Sequence, residues 1–156
     1  MNSTNVVAAI IKKNNKYLIV QRNRNKHLGL KWEFPGGKVK NNETFEEALN
    51  REIQEELNIK IKVHEKITEE KYKDEKIYIL LHYYLCSLES GTMSLNEHEA
   101  FAWIEKKDFD KYDFAEEITE EETLSIHEKE LELIKKALER NNGKRKLAAK
   151  ELGISE

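Results

Sequence analysis

Two apolar, β-branched runs, residues 5–11 (Asn-Val-Val-Ala-Ala-Ile-Ile) and 17–21 (Tyr-Leu-Ile-Val-Gln), flank the polar string Lys-Lys-Asn-Asn-Lys. Asn tolerates the left-handed conformations of tight turns, so the pair predicts a hairpin. A polar stretch over 23–31 leads into Trp32-Glu33-Phe34-Pro35-Gly36-Gly37, which holds the only proline and two of the six glycines and reads as a shaped loop. Thr44 followed by Glu47 is a capping box, and 45–57 contains neither Gly nor Pro, so a helix opens there. The alternation of Ile59, Ile61 and Val63 predicts a strand, 76–88 a long and mostly buried one, and 100–104 a short one. Strands and helices alternate, so the expected fold class is α/β, a mixed sheet with helices packed on it.

After Trp103 the character changes. Residues 116–122 carry five acids in seven positions, and Ser125 with Glu128 forms a second capping box. This places a boundary near Glu120, between a domain over 1–119 and an acidic linker with a helical tail over 120–156. The 156 residues include 37% charged and 38% hydrophobic positions with a net charge of -3. That leaves enough apolar side chains for one core and offers no whole-protein field to draw in nucleic acid. The longest apolar stretch, 77–88, is broken by His82 and is too short to span a bilayer, and the N-terminus lacks the order of a signal peptide. A cytoplasmic location without membrane contact is expected. Cys86 is the single cysteine, which excludes an internal disulfide and a Cys-based zinc site.

The helix predicted over 45–57 concentrates acids on one side. Glu52, Glu55 and Glu56 fall within an arc of about 120° that also holds Phe45, Ala48 and Leu49, the side expected to be buried. Ionised carboxylates among apolar side chains cost several kcal/mol unless cations or donors meet them. A hard divalent cation, Mg²⁺ or Mn²⁺, would meet that need, with Arg51 bracing Glu55 or the loop. A solvated acidic edge satisfies the same wheel, so the wider spacing decides. Gly37, five residues, Glu43, seven residues, then Arg51-Glu52-Ile53-Gln54-Glu55-Glu56-Leu57-Asn58-Ile59 resembles the Nudix box, G-x5-E-x7-R-E-U-x-E-E-x-G-U with U apolar. A chance match is on the order of 10⁻⁵ at this composition. Only the last glycine differs, and Asn58 is the usual second choice at a helix C-cap.

The resemblance implies an α/β/α sandwich that hydrolyses a nucleoside diphosphate linked to another group. It implies metal binding by Glu52, Glu55 and Glu56, orientation of these by Arg51, and shaping of the loop and metal site by Gly37 and Glu43. Outside the box, Val20-Gln-Arg22, Trp32 to Val39, and Asn96-Glu97-His98 before Trp103 are similar to the MutT-type branch, which cleaves nucleoside triphosphates to monophosphate and pyrophosphate. That likeness sets Arg22 against the substrate phosphates or base and His27 in the pocket. It sets Phe34, Gly36 and Lys38 beside the substrate and makes Glu97 a further metal ligand or general base. A surface charge, a loop residue and a turn acid are the plain alternatives for Arg22, His27 and Glu97. Many relatives read the base with Ala-Asn or Ala-Asp after an aromatic. Here the stretch is Phe114-Ala115-Glu116-Glu117, so Glu116 and Glu117 are the candidate base readers, and 8-oxo-dGTP is not separated from CTP-like substrates.

The string Leu133 to Ser155 looks like a Fis-type helix-turn-helix. The chain stops at Glu156, before the helix that would enter the major groove, so sequence-specific DNA binding is not expected. A helical hairpin packed on the domain or on a second subunit of a homodimer is the simpler expectation for the tail. The function expected is a Mg²⁺-dependent pyrophosphohydrolase of a (deoxy)nucleoside triphosphate. Its rivals are a nucleotide-sensing domain of a regulator with a DNA-contacting tail, and an enzyme for another nucleoside diphosphate conjugate.

Overall fold

The structure, a computed structural model, describes residues 2–115 and 134–139. Its elements run β1 (Thr4–Lys13), β2 (Lys16–Gln21), β3 (Trp32–Glu33), β4 (Gly36–Lys38), α1 (Phe45–Leu57), β5 (Lys60–Lys73), β6 (Tyr78–Ser90) and β7 (Ala100–Ile104), followed by a 3₁₀ turn over Lys106–Lys111. The predicted hairpin forms, with Lys12 opposite Tyr17 and Asn14 and Asn15 at φ of 48° and 66°. Two left-handed residues in succession give a turn whose twist matches that of the flanking strands.

Beyond this turn β1 and β2 diverge. β2 pairs with β3 and β7, and β1 pairs in parallel with β6, from Thr4 opposite Ile79 to Ile11 opposite Cys86. The edge of β1 that β2 vacates is filled by β4, with Val7 opposite Gly37 and Ala8 opposite Gly36. The glycine-rich segment is therefore held where the sheet divides. Read from sequence as a loop, it contains β3 and β4, because strands of two and three residues interrupted by Pro35 leave no alternation to detect. β5 likewise runs ten residues past Val63 as far as Lys73, through two register shifts and a mostly polar face that carries no apolar signal.

The central position of β1 explains its unbroken apolar run, since strands buried on both faces do not alternate. Val6, Ala8 and Ile10 join one core with Tyr17, Phe34, Tyr83 and Phe109. Val7, Ala9 and Ile11 join another with Leu49, Ile53 and Leu57 of α1. The first core is closed by Phe109 and by Ile134 and Leu138 of the helical residues 134–139, both buried. Each such aliphatic side chain contributes about 1.5–3 kcal/mol when fully buried. The result is the helix, mixed sheet and helix sandwich expected from sequence, and its core extends past the boundary read near Glu120. Glu116, Glu117, the linker and the other tail residues lie outside the described residues. Among the described residues no helix is long and apolar enough to cross a membrane.

Candidate active site

α1 begins as read. The Thr44 hydroxyl accepts from the Glu47 amide at 3.1 Å, and the Glu47 carboxylate accepts from the Thr44 amide at 3.0 Å, satisfying two donors that a helix start leaves open. The helix ends on Asn58, left-handed at φ 57°, whose amide bonds to the Gln54 carbonyl. Asn at this cap therefore does the work of the glycine in the motif. Burial of Ala48, Leu49, Ile53 and Leu57 against the sheet fixes the roll of the helix and turns Glu52 and Glu56 toward the glycine segment.

Arg51 ties this unit together. Its Nε and Nη2 grip both oxygens of Glu43 at 2.6 and 2.9 Å, and Nη2 also donates to the Lys38 carbonyl at 3.0 Å. Nη1 reaches Glu52 at 2.9 Å and Glu55 at 3.4 Å. With the Lys40 amide donating as well, Glu43 is held down at about 2, chiefly by the Arg51 hydrogen bonds. A carboxylate with a depressed folded value contributes stability that is complete above the ordinary value of 4.5 and lost as pH falls toward 2.

Glu56 is 5% exposed and accepts from the Gly36 amide, yet its Oε2 is buried without a hydrogen-bond partner. Burial pushes its carboxyl well up, reinforced by the charges of Glu52, Glu33 and Glu97. Glu52 is raised too, mainly by burial, against the pull of Arg51. Gly37 leaves the space that Glu52 occupies, for a Cβ at 37 would stand 2.6 Å from both Glu52 oxygens. A Cβ at Gly36 would collide with the Val7 carbonyl. Gly37→Ala is therefore expected to displace Glu52 and weaken Mn²⁺ binding and turnover by about 10–100-fold, with the fold retained by circular dichroism. Unchanged Mn²⁺ affinity would show that this space is not needed.

Glu55 departs from the helical-wheel expectation. Its side chain is 52% exposed, because it lies at the edge of the acidic arc and outside the contact between α1 and the sheet. Glu97 is exposed on the segment after β6, and its charge acts on both Glu52 and Glu56. Glu52, Glu56 and Glu97 thus lie near enough for their charges to act on one another, with Glu55 at the rim. These are hard oxygen donors, and the unpaired Oε2 of Glu56 is what a cation would satisfy. Among the described residues no three such side chains converge on one point as they stand, since Glu52 and Glu55 are turned to Arg51.

Other expected residues are placed differently from one another. Arg22, expected at the substrate, is 3% exposed, with Nη1 on Glu33 at 2.7 Å and Nε on the His27 carbonyl at 3.0 Å. The Phe34 ring, expected beside the substrate, is 1% exposed and packed against Tyr83, Phe109 and Phe114. Its burial comes from the aromatic side chains that surround it, in a segment where Glu33, Phe34, Pro35 and Gly36 are all buried. His27 and Lys38 are exposed. Sequence reasoning assigned no role to Glu33 or His98, which form a buried pair at 3.1 Å. An acid between two aromatics was the available signal, but its partners lie eleven and sixty-five residues away.

Comparison with known proteins gives the family. The family model described as NUDIX domain matches residues 1–137, and that of the bacterial regulatory protein, Fis family, matches 125–156. The CTP pyrophosphohydrolase of Escherichia coli K12 is 35% identical over 115 residues, 74% of this chain and 85% of its own length. The 8-oxo-dGTP diphosphatase of Buchnera aphidicola is 36% identical over 114 residues, 73% of this chain and 86% of its own. The solution structure of the MutT protein of methicillin-resistant Staphylococcus aureus, a Nudix hydrolase, superposes with a TM-score of 0.64 at 32% identity, covering 89% of this chain and 98% of that one. A box helix capped as its motif requires, carboxylates gathered behind two glycines, and a family match over most of the chain lead to one conclusion: this chain belongs to the Nudix hydrolases.

Proposed function

We propose that the chain cleaves a (deoxy)nucleoside triphosphate to the monophosphate and pyrophosphate, using Mg²⁺ or Mn²⁺ held by Glu52, Glu55, Glu56 and Glu97. The observation that carries this reading is Glu56, a buried carboxylate with one oxygen unpaired and three other carboxylates acting on it. Such a group is stable as an ion only with a cation beside it. The names of the two relatives support a nucleotide substrate. A divalent cation bound there supplies charge neutralisation at phosphate oxygens and a more acidic water.

The chain's own residues do the rest. Arg51 holds the loop and the helix in one register, Gly36 donates its amide to Glu56, and Gly37 leaves Glu52 its place. The Lys38 ammonium, exposed at the end of β4, meets a substrate phosphate. Water forms the new P–O bond, the anhydride between the α- and β-phosphates breaks, and Glu97 accepts the water proton while pyrophosphate leaves. Glu116 or Glu117 accepts a hydrogen bond from an exocyclic amine of the base, which suits cytosine or guanine.

The test is pyrophosphate and monophosphate release with Mg²⁺ over 8-oxo-dGTP, dGTP, CTP, dCTP, 5-methyl-dCTP, ADP-ribose and diadenosine polyphosphates. One triphosphate is expected to be cleaved preferentially, with loss of that preference on Glu116→Ala or Glu117→Ala. Silence across the panel with nucleotide binding retained would replace this reading by a nucleotide-sensing one.

A further inference from the structure

Resting on the reading of Glu97 as a working carboxylate, we infer that Asn96 and His98 are positioning residues that hold Glu97 against the acids of α1. The last carbonyls of a helix have no partner within it. In α1 three of these are taken by the segment after β6. The Ser94 amide bonds to Leu57 O at 3.0 Å, the Asn96 amide to Glu56 O at 3.0 Å, and the Asn96 Nδ2 to Glu55 O at 2.7 Å. Two of the accepting residues, Glu55 and Glu56, are themselves members of the carboxylate group, so the segment is tied to the backbone that carries those acids.

The other flank is fastened to a different element. His98 meets Glu33 on β3 with its Nε2 3.1 Å from Oε2, and Arg22 grips the opposite oxygen of Glu33 at 2.7 Å. Both side chains of the His98–Glu33 pair are at least nine-tenths buried, so this anchor is screened from water. One residue further on, the Glu99 amide bonds to Gln21 O at 3.0 Å, and the Glu99 carboxylate is gripped by Arg24. Glu97 is thus the exposed residue between two anchored neighbours, one on the helix end and one on the sheet.

Such a clamp matters because the entropy lost in fixing a residue's backbone is here met in folding and not at the moment of reaction. Misplacement of a reacting group by about 1 Å costs on the order of 10²-fold in rate. Asn96 and His98 act on the reaction through Glu97 and need touch no substrate.

The test uses the full chain and the triphosphate it cleaves. Asn96→Ala and His98→Ala are expected to lower kcat by about 10–100-fold with KM little changed, and His98→Gln, whose amide nitrogen can reach Glu33, to restore most of the rate. Amide exchange over 94–99 is expected to quicken in both alanine variants. The double variant Asn96→Ala/Glu97→Gln is expected to be no slower than Glu97→Gln alone, since a positioning residue has nothing left to position. Additive losses in the double variant, or unchanged exchange over 94–99 in Asn96→Ala, would overturn the inference. Wild-type activity in Glu97→Gln would instead remove the reading of Glu97 on which it rests. If His98→Ala fails to fold, Asn96→Ala and His98→Gln carry the same comparison.

Discussion

Glu56→Gln is expected to lower turnover by roughly 10³-fold or more while the metal-free protein keeps its fold and becomes more stable. Both halves follow from one environment. The Glu56 carboxylate is buried, one of its oxygens has no partner, and the charges of Glu52, Glu33 and Glu97 oppose its ionisation. Burying such a charge costs several kcal/mol, and an amide of the same shape removes that cost while still accepting from the Gly36 amide. What glutamine cannot do is supply the negative oxygen that a cation and a developing phosphate charge require. Pyrophosphate release read together with a urea unfolding curve separates the effects. Full activity in this variant would sink the assignment of the site, and a loss of activity accompanied by unfolding would show that Glu56 is needed for the fold first.

Arg22→Met is expected to destabilise the protein by about 3–5 kcal/mol, because removing one member of a buried ion pair leaves the Glu33 charge with His98 as its remaining partner and one oxygen stripped of its donor. Arg22 and Glu33 have side chains only 4% and 5% exposed, and their 2.7 Å contact joins the residue that follows β2 to β3. The same change loosens the loop over 23–31, since Arg22 Nε holds the His27 carbonyl. The urea midpoint should fall accordingly, and Arg22→Met/Glu33→Gln should recover part of the loss, as the stranded charge is then gone. The resemblance to the MutT-type branch implies a different outcome, contact of Arg22 with substrate. Unaltered stability with a raised KM would establish that role and dismiss the structural one.

What could be read in the sequence alone was whatever short-range chemistry determines. Thr44 and Glu47 are three residues apart, so the start of α1 follows from local hydrogen bonds, and Asn58 marks its end for the same reason. Asn14 and Asn15 specify the first hairpin turn locally. The spacing from Gly37 through Glu43 to Arg51, Glu52 and Glu56 spans one loop and one helix, so the motif carries its geometry with it, and the Arg51 contacts with Glu43 and Lys38 are the physical content of that spacing. The family and the reaction class follow from that unit.

Tertiary structure decided the contacts that the chain makes at a distance. The parallel pairing of β1 with β6 joins residues some seventy-five positions apart, and it places β4 and its glycines beside α1. Arg22, Glu33 and His98 become one buried network only because three separate segments meet there, and no local pattern encodes that meeting. The exposure of Glu55, the burial of Phe34 and the closing of the first core by Ile134 and Leu138 likewise depend on which face of each element finds a neighbour. A helical wheel knows the direction of a side chain but not what stands opposite it. That opposite surface is the quantity that only the packed fold supplies.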